Sequence, residues 1–77
     1  MSLFEGVKGN YYEIRGLGAE EALTRRLQAL GLNDGTVVTV LNRKKGGALI
    51  IRVRGTRLAL GRRICQGIEV EEWTDET

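Results

Sequence analysis

Few side chains in this chain of 77 residues can do chemistry, and those few point to binding before catalysis. There is no histidine and one cysteine, Cys65, so no imidazole is present to work as a base near neutral pH and no cysteine pair can form a disulfide or hold a metal. The chain carries no Gly-x-x-x-x-Gly-Lys-Ser/Thr phosphate loop and no nucleophile beside a base, so no enzymatic activity is expected of it. Cys65, between Ile64 and Gln66, reads as a buried thiol packed like a small apolar side chain. Carboxylates are the one plentiful metal donor. Glu69, Glu71 and Glu72 cluster near the end, where a solvated acidic tail accounts for them better than a metal site.

Charge is the remaining resource, and it is unevenly spread. Five of the ten acidic residues fall between Glu69 and Thr77, a stretch with no basic residue. The formal charge of +2 therefore divides into an acidic end and a segment, residues 1–68, with twelve basic against five acidic side chains, or +7. The cations come in groups: Arg25 and Arg26, Arg43 to Lys45, and Arg62 with Arg63. Such groups either solubilise a small domain or dock it on an acidic protein surface, where charge speeds encounter and sets orientation. Lys44 and Lys45 read as a solvated hairpin tip; for Arg25 and Arg26 the two readings stand level. Nucleic acid would also use the basic segment, but Phe4, Tyr11, Tyr12 and Trp73 do not alternate with the cations as a stacking platform requires.

These residues need a scaffold, and the pattern of apolar positions supplies one. Leu23, Leu27 and Leu30 recur at the four-then-three spacing of one helical face, predicting a helix from about Ala19 to Leu30 with Gly18 as its N-cap and that face in the core. Glu20 and Glu21 sit near the positive end of the helix dipole. Gly31 stands where a helix closes through a left-handed residue, and Leu32 can cover the last turn. Asn33-Asp34-Gly35 then reverses the chain.

Strands are expected at Tyr11–Arg15, ending at Gly16-Leu17-Gly18, then at Thr36–Asn42, Ala48–Arg54, Arg57–Leu60 and Ile68–Glu71. Gly61 to Gln66 has room for a helical turn. In the third strand Leu49, Ile51 and Val53 share one side and Ile50, Arg52 and Arg54 the other. Five short strands with one substantial helix predict a mainly β domain, a small partly open barrel whose curvature protects its edges. One domain over residues 1–72 and an acidic tail over 73–77 is the expected organisation. A lone cysteine fits a reducing compartment, no apolar run reaches the ~20 residues that span a bilayer, and the start lacks a basic-then-apolar leader. The expected location is the cytoplasm.

Taken in order, Ile14-Arg15-Gly16-Leu17, Arg26-Leu27-Gln28-Ala29-Leu30-Gly31-Leu32, Gly35-Thr36-Val37-Val38-Thr39-Val40 and Leu58-Ala59-Leu60 resemble the FeoA family of bacterial ferrous iron transport accessory proteins. The resemblance runs from about Gly9 to Val70. It implies an SH3-like five-stranded barrel with a helix inserted after the first strand, and action beside FeoB, the membrane protein with a cytosolic G domain that imports ferrous iron. It implies transition-metal (iron) association without assigning a ligand, and no small-molecule substrate. The partner-binding residues expected on this basis are Arg25, Arg26, Leu30, Gly31 and Leu32; self-association is left open. A similar module closes DtxR-type metal-dependent repressors, so a regulatory module is the alternative, with a small basic nucleic-acid-binding barrel behind it. One departure stands out: Gly46-Gly47-Ala48 replaces the family's frequent glycine-proline, which predicts a looser turn.

Overall fold

The computed structural model describes residues 1–74. A 3-10 turn, Leu3–Glu5, leads into β1 (Tyr11–Leu17), α1 (Glu21–Ala29), β2 (Val37–Arg43), β3 (Leu49–Val53), β4 (Thr56–Leu60), α2 (Arg62–Gln66) and β5 (Ile68–Trp73). The strands form one antiparallel sheet in the order β4-β3-β2-β1-β5. Because β4 and β5 are not joined, the sheet stays partly open, as the strand count predicted. The expected acidic tail is described only as far as Thr74, and its first residue, Trp73, is the last of β5; residues 75–77 lie outside the described part.

Alternation builds the core. Tyr12 and Ile14 on β1, Val38 and Val40 on β2, Leu49, Ile51 and Val53 on β3, Leu60 on β4, and Ile68 and Val70 on β5 are all buried. Leu3, Leu27, Leu32 and Cys65 complete the cluster from outside the sheet. Leu3 stands outside any alternating or helical pattern, and the bridge between Ser2 and Glu69 carries it beside β5 and inward.

Two bulges break the alternation and change which residues face inward. In β1 the register slips between Ile14 and Gly16, so the strand does not end at Arg15 but continues to Leu17, which packs against the core. In β2 it slips between Val40 and Asn42: Leu41 and Asn42 together oppose Ile50, and Arg43 then pairs with the buried Leu49. Unbroken alternation from Val38 and Val40 would have turned Asn42 inward and Arg43 out. The following turn is fastened by Lys44 N–H to the Ala48 carbonyl at 2.8 Å and Gly47 N–H to the Lys44 carbonyl at 3.1 Å.

Gly18 is not the N-cap. That position belongs to Glu20, which makes no side-chain capping bond. Gly18 instead donates its N–H to the carbonyl of Gly67, at the junction of α2 and β5. A Cβ at Gly18 would stand 2.9 Å from the Gly67 carbonyl oxygen, and one at Gly67 3.0 Å from that of Gly18. The two glycines let the segment leading into α1 cross the start of β5 in backbone contact.

Candidate functional site

The helix and its exit form the surface to which sequence assigned partner binding. Leu27 is buried and Leu23 packs against the core, whereas Leu30, expected on the same face, is 49% exposed. The reason is local: Leu30 is the C-cap, and the chain turns away from the helix there. Leu32 N–H donates to the Leu27 carbonyl at 2.9 Å and Gly31 N–H to the Gln28 carbonyl at 3.0 Å, the paired bonds of a Schellman closure. Gly31 takes φ +101°, a backbone state that side chains with a Cβ rarely adopt, and Leu32 is fully buried.

The five assigned residues therefore divide in two. Arg25, Arg26 and Leu30 face solvent; Gly31 and Leu32 are buried and present nothing to a partner. Their work is to fix where Leu30 points. Arg25 Nη2 reaches Glu21 Oε1 at 2.6 Å, one helical turn back, with both side chains at least three-quarters exposed, so the pair contributes little to stability. Arg26 is in no ion pair among the described residues.

A third surface cation reaches the helix end from a distant part of the chain. Arg54, in the turn between β3 and β4, lies so close to Gly31 that a Cβ there would meet its Cδ at 3.2 Å. Arg54 adopts φ +51°, which aims the turn at the helix end. No signal in the sequence connects Arg54 to the helix, because the contact exists only after β3 and β4 have paired.

The other cations separate by role. Arg43 is not part of a solvated tip: its Nη2 donates to the carbonyls of Phe4 and, at 3.1 Å, of Gly6, and its guanidinium carbon lies 4.8 Å from the Phe4 ring centre. Arg62 stacks on the same ring at 5.3 Å. Lys44 and Lys45 do face solvent, as expected of the hairpin tip.

Reactive groups are arranged for structure. Cys65 is fully buried, with its thiol directed at the Leu60 carbonyl at 3.5 Å, and burial pushes its pKa up, keeping it protonated. Of the clustered carboxylates, Glu69 accepts from the Met1 amino group at 2.7 Å and Glu71 lies 3.7 Å from Arg15. Both are more than half exposed. Among the described residues no three His, Cys, Asp or Glu side chains converge to hold a metal ion, so the donors present do not fit a bound iron. No helix among them is long and apolar enough to cross a membrane.

Comparison with known proteins agrees with this architecture. No curated protein matches the chain. Among solved structures, the FeoA protein from Chlorobium tepidum is 31% identical with a TM-score of 0.90, over all of this chain and 74% of its own. FeoA from Stenotrophomonas maltophilia, described as a prokaryotic SH3 domain protein and complexed with zinc, is 26% identical with a TM-score of 0.79, over 92% of this chain and 89% of its own. A manganese-dependent transcriptional repressor shares the fold at 20% identity and a TM-score of 0.86, this chain matching 36% of its length. The family model of the FeoA domain matches residues 1–72, and with the SH3-like sheet, the inserted helix and its Gly31 closure in place, the chain belongs to the FeoA family.

Proposed function

We propose that this chain is a non-enzymatic accessory protein of ferrous iron uptake that works in the cytoplasm by binding the cytosolic region of a FeoB-type transporter. The FeoA family match over residues 1–72 carries the reading. The relative from Stenotrophomonas maltophilia has been put forward as a ferrous iron transport activating factor, which supports the same role here. Iron is then the transporter's cargo.

The proposed contact is the shoulder at the end of α1. Leu30 provides an exposed apolar side chain, Arg25 and Arg26 provide charge, and Gly31 with Leu32 hold the helix end in place. An exposed leucine at the end of a helix that also carries two exposed arginines suits an acidic surface with an apolar centre, where the charges govern encounter and the leucine contributes burial.

Calorimetric titration of the FeoB cytosolic region, with and without guanine nucleotide, tests the reading. Binding by the native chain and roughly tenfold weaker binding by the R25E/R26E double variant are expected. No binding in either nucleotide condition defeats the proposal; binding untouched by R25E/R26E moves the contact elsewhere.

A further inference from the structure

The outer face of the sheet carries a second, differently built surface. The β2 bulge sets Leu41 and Asn42 side by side opposite Ile50, so two half-buried aliphatic side chains form a floor on the solvent side. Around it stand Lys8, Lys44 and Arg57, all exposed, enclosing a shallow groove of about 290 Å³. Arg57 is directly opposite Arg52 in the β3–β4 register, a like-charge pair that destabilises a sheet unless something offsets it. None of these four cations lies within ion-pair distance of a described carboxylate. The described acidic groups of β1 and β5, including Glu13, Glu69 and Glu71, lie on the strands toward the opposite edge of the sheet.

We propose that this groove binds an extended acidic peptide, its apolar side chains resting on Leu41 and Ile50 and its carboxylates meeting Lys8, Lys44 and Arg57. An unpaired cationic rim over an aliphatic floor complements a segment that alternates carboxylate and aliphatic side chains. It does not complement single-stranded nucleic acid, which needs rings to stack on. The aromatic residues are elsewhere: Tyr11 packs edge-to-face on Trp73, Phe4 lies under Arg43 and Arg62, and Tyr12 is buried. The groove is distinct from the α1 shoulder, and the proposal does not depend on the transporter reading.

The test is an NMR titration of the isotope-labelled full chain with a short acetylated peptide of alternating glutamate and leucine. The same peptide with glutamine for glutamate, a hexaglutamate and an oligouridylate serve as comparison probes. Expected are shifts concentrated at Lys8, Leu41 to Lys44, Ile50 and Arg57, and binding that weakens as salt rises. The K44E/R57E variant, with its spectral dispersion retained, should bind at least about tenfold more weakly, while R25E/R26E should bind as the native chain does. Equal binding of the glutamine peptide or of hexaglutamate overturns the proposal, because the floor and the rim would then not act together. Tighter binding of oligouridylate overturns it in favour of nucleic acid, and shifts confined to other residues overturn the location.

Discussion

Replacing Gly18 or Gly67 by alanine tests whether the crossing into α1 is as tight as its geometry says. Neither glycine has a positive φ, so alanine at either site meets no left-handed penalty, and the cost comes from contact alone. The added methyl would lie 2.9 Å from the opposing carbonyl oxygen at Gly18 and 3.0 Å at Gly67. Both obstacles are backbone, so they cannot swing away as a side chain would. Parting the segments by several tenths of an ångström weakens the Gly18–Gly67 hydrogen bond, about 0.5–1.5 kcal/mol, and repacks a close contact at about 1–3 kcal/mol. A loss of roughly 2–4 kcal/mol is expected for each variant. The whole domain, at about 0.05–0.15 kcal/mol per residue, is stable by roughly 4–12 kcal/mol, so either change removes a large share.

Urea unfolding measures the loss directly, and the melting temperature should fall by at least about 10 °C. Both lesions open the same gap, so the double variant should lose less than the sum of the two. Gly16→Ala is the internal control: its nearest outside neighbour would be the Glu69 Cβ at 3.9 Å, an ordinary contact, and it should be neutral or up to ~1 kcal/mol more stable. If Gly18→Ala and Gly67→Ala both stay within about 0.5 kcal/mol of the native chain, the crossing is not a constraint and the reasoning fails.

Three further outcomes follow from the same contacts. Leu27→Ala and Leu32→Ala should each cost about 2–5 kcal/mol in chemical unfolding, whereas Leu30→Ala should change stability by less than ~0.5 kcal/mol and weaken FeoB binding in a titration. Arg43→Ala should cost about 1–2 kcal/mol through the lost hydrogen bonds to the Phe4 and Gly6 carbonyls and the lost stack on the Phe4 ring, with Arg43→Lys restoring little because a lysine cannot keep the planar stack; Lys44→Ala should be silent in the same melts. The raised thiol pKa of Cys65 means that above about pH 8.5 the unfolded chain releases a proton the folded chain retains, so stability falls as pH rises from there. Below that pH the thiol contributes no slope. Cys65→Ala should flatten the alkaline limb of a stability–pH profile, and an unchanged limb would disprove the linkage.

Much of this molecule is written locally. The Leu23–Leu27 spacing, Gly31 and Leu32 are enough to place a helix and its closure, because the Schellman bonds join residues within one turn. The core positions of β3 follow from period-two alternation, since each side chain's direction is set by its neighbours. FeoA membership is legible for the same reason: its signature is an order of such local fragments.

What sequence could not supply was anything that depends on two distant segments meeting. A bulge is a mismatch between strands, so neither Leu17's inward turn nor the reversal of Asn42 and Arg43 exists until a partner strand sets the register. The pairing of Gly18 with Gly67, the approach of Arg54 to the helix end, and the gathering of Lys8, Lys44 and Arg57 around Leu41 and Ile50 are likewise contacts across the folded sheet. Local chemistry determined which elements form and where they stop; long-range pairing decided which of their side chains are left outside for a partner to touch.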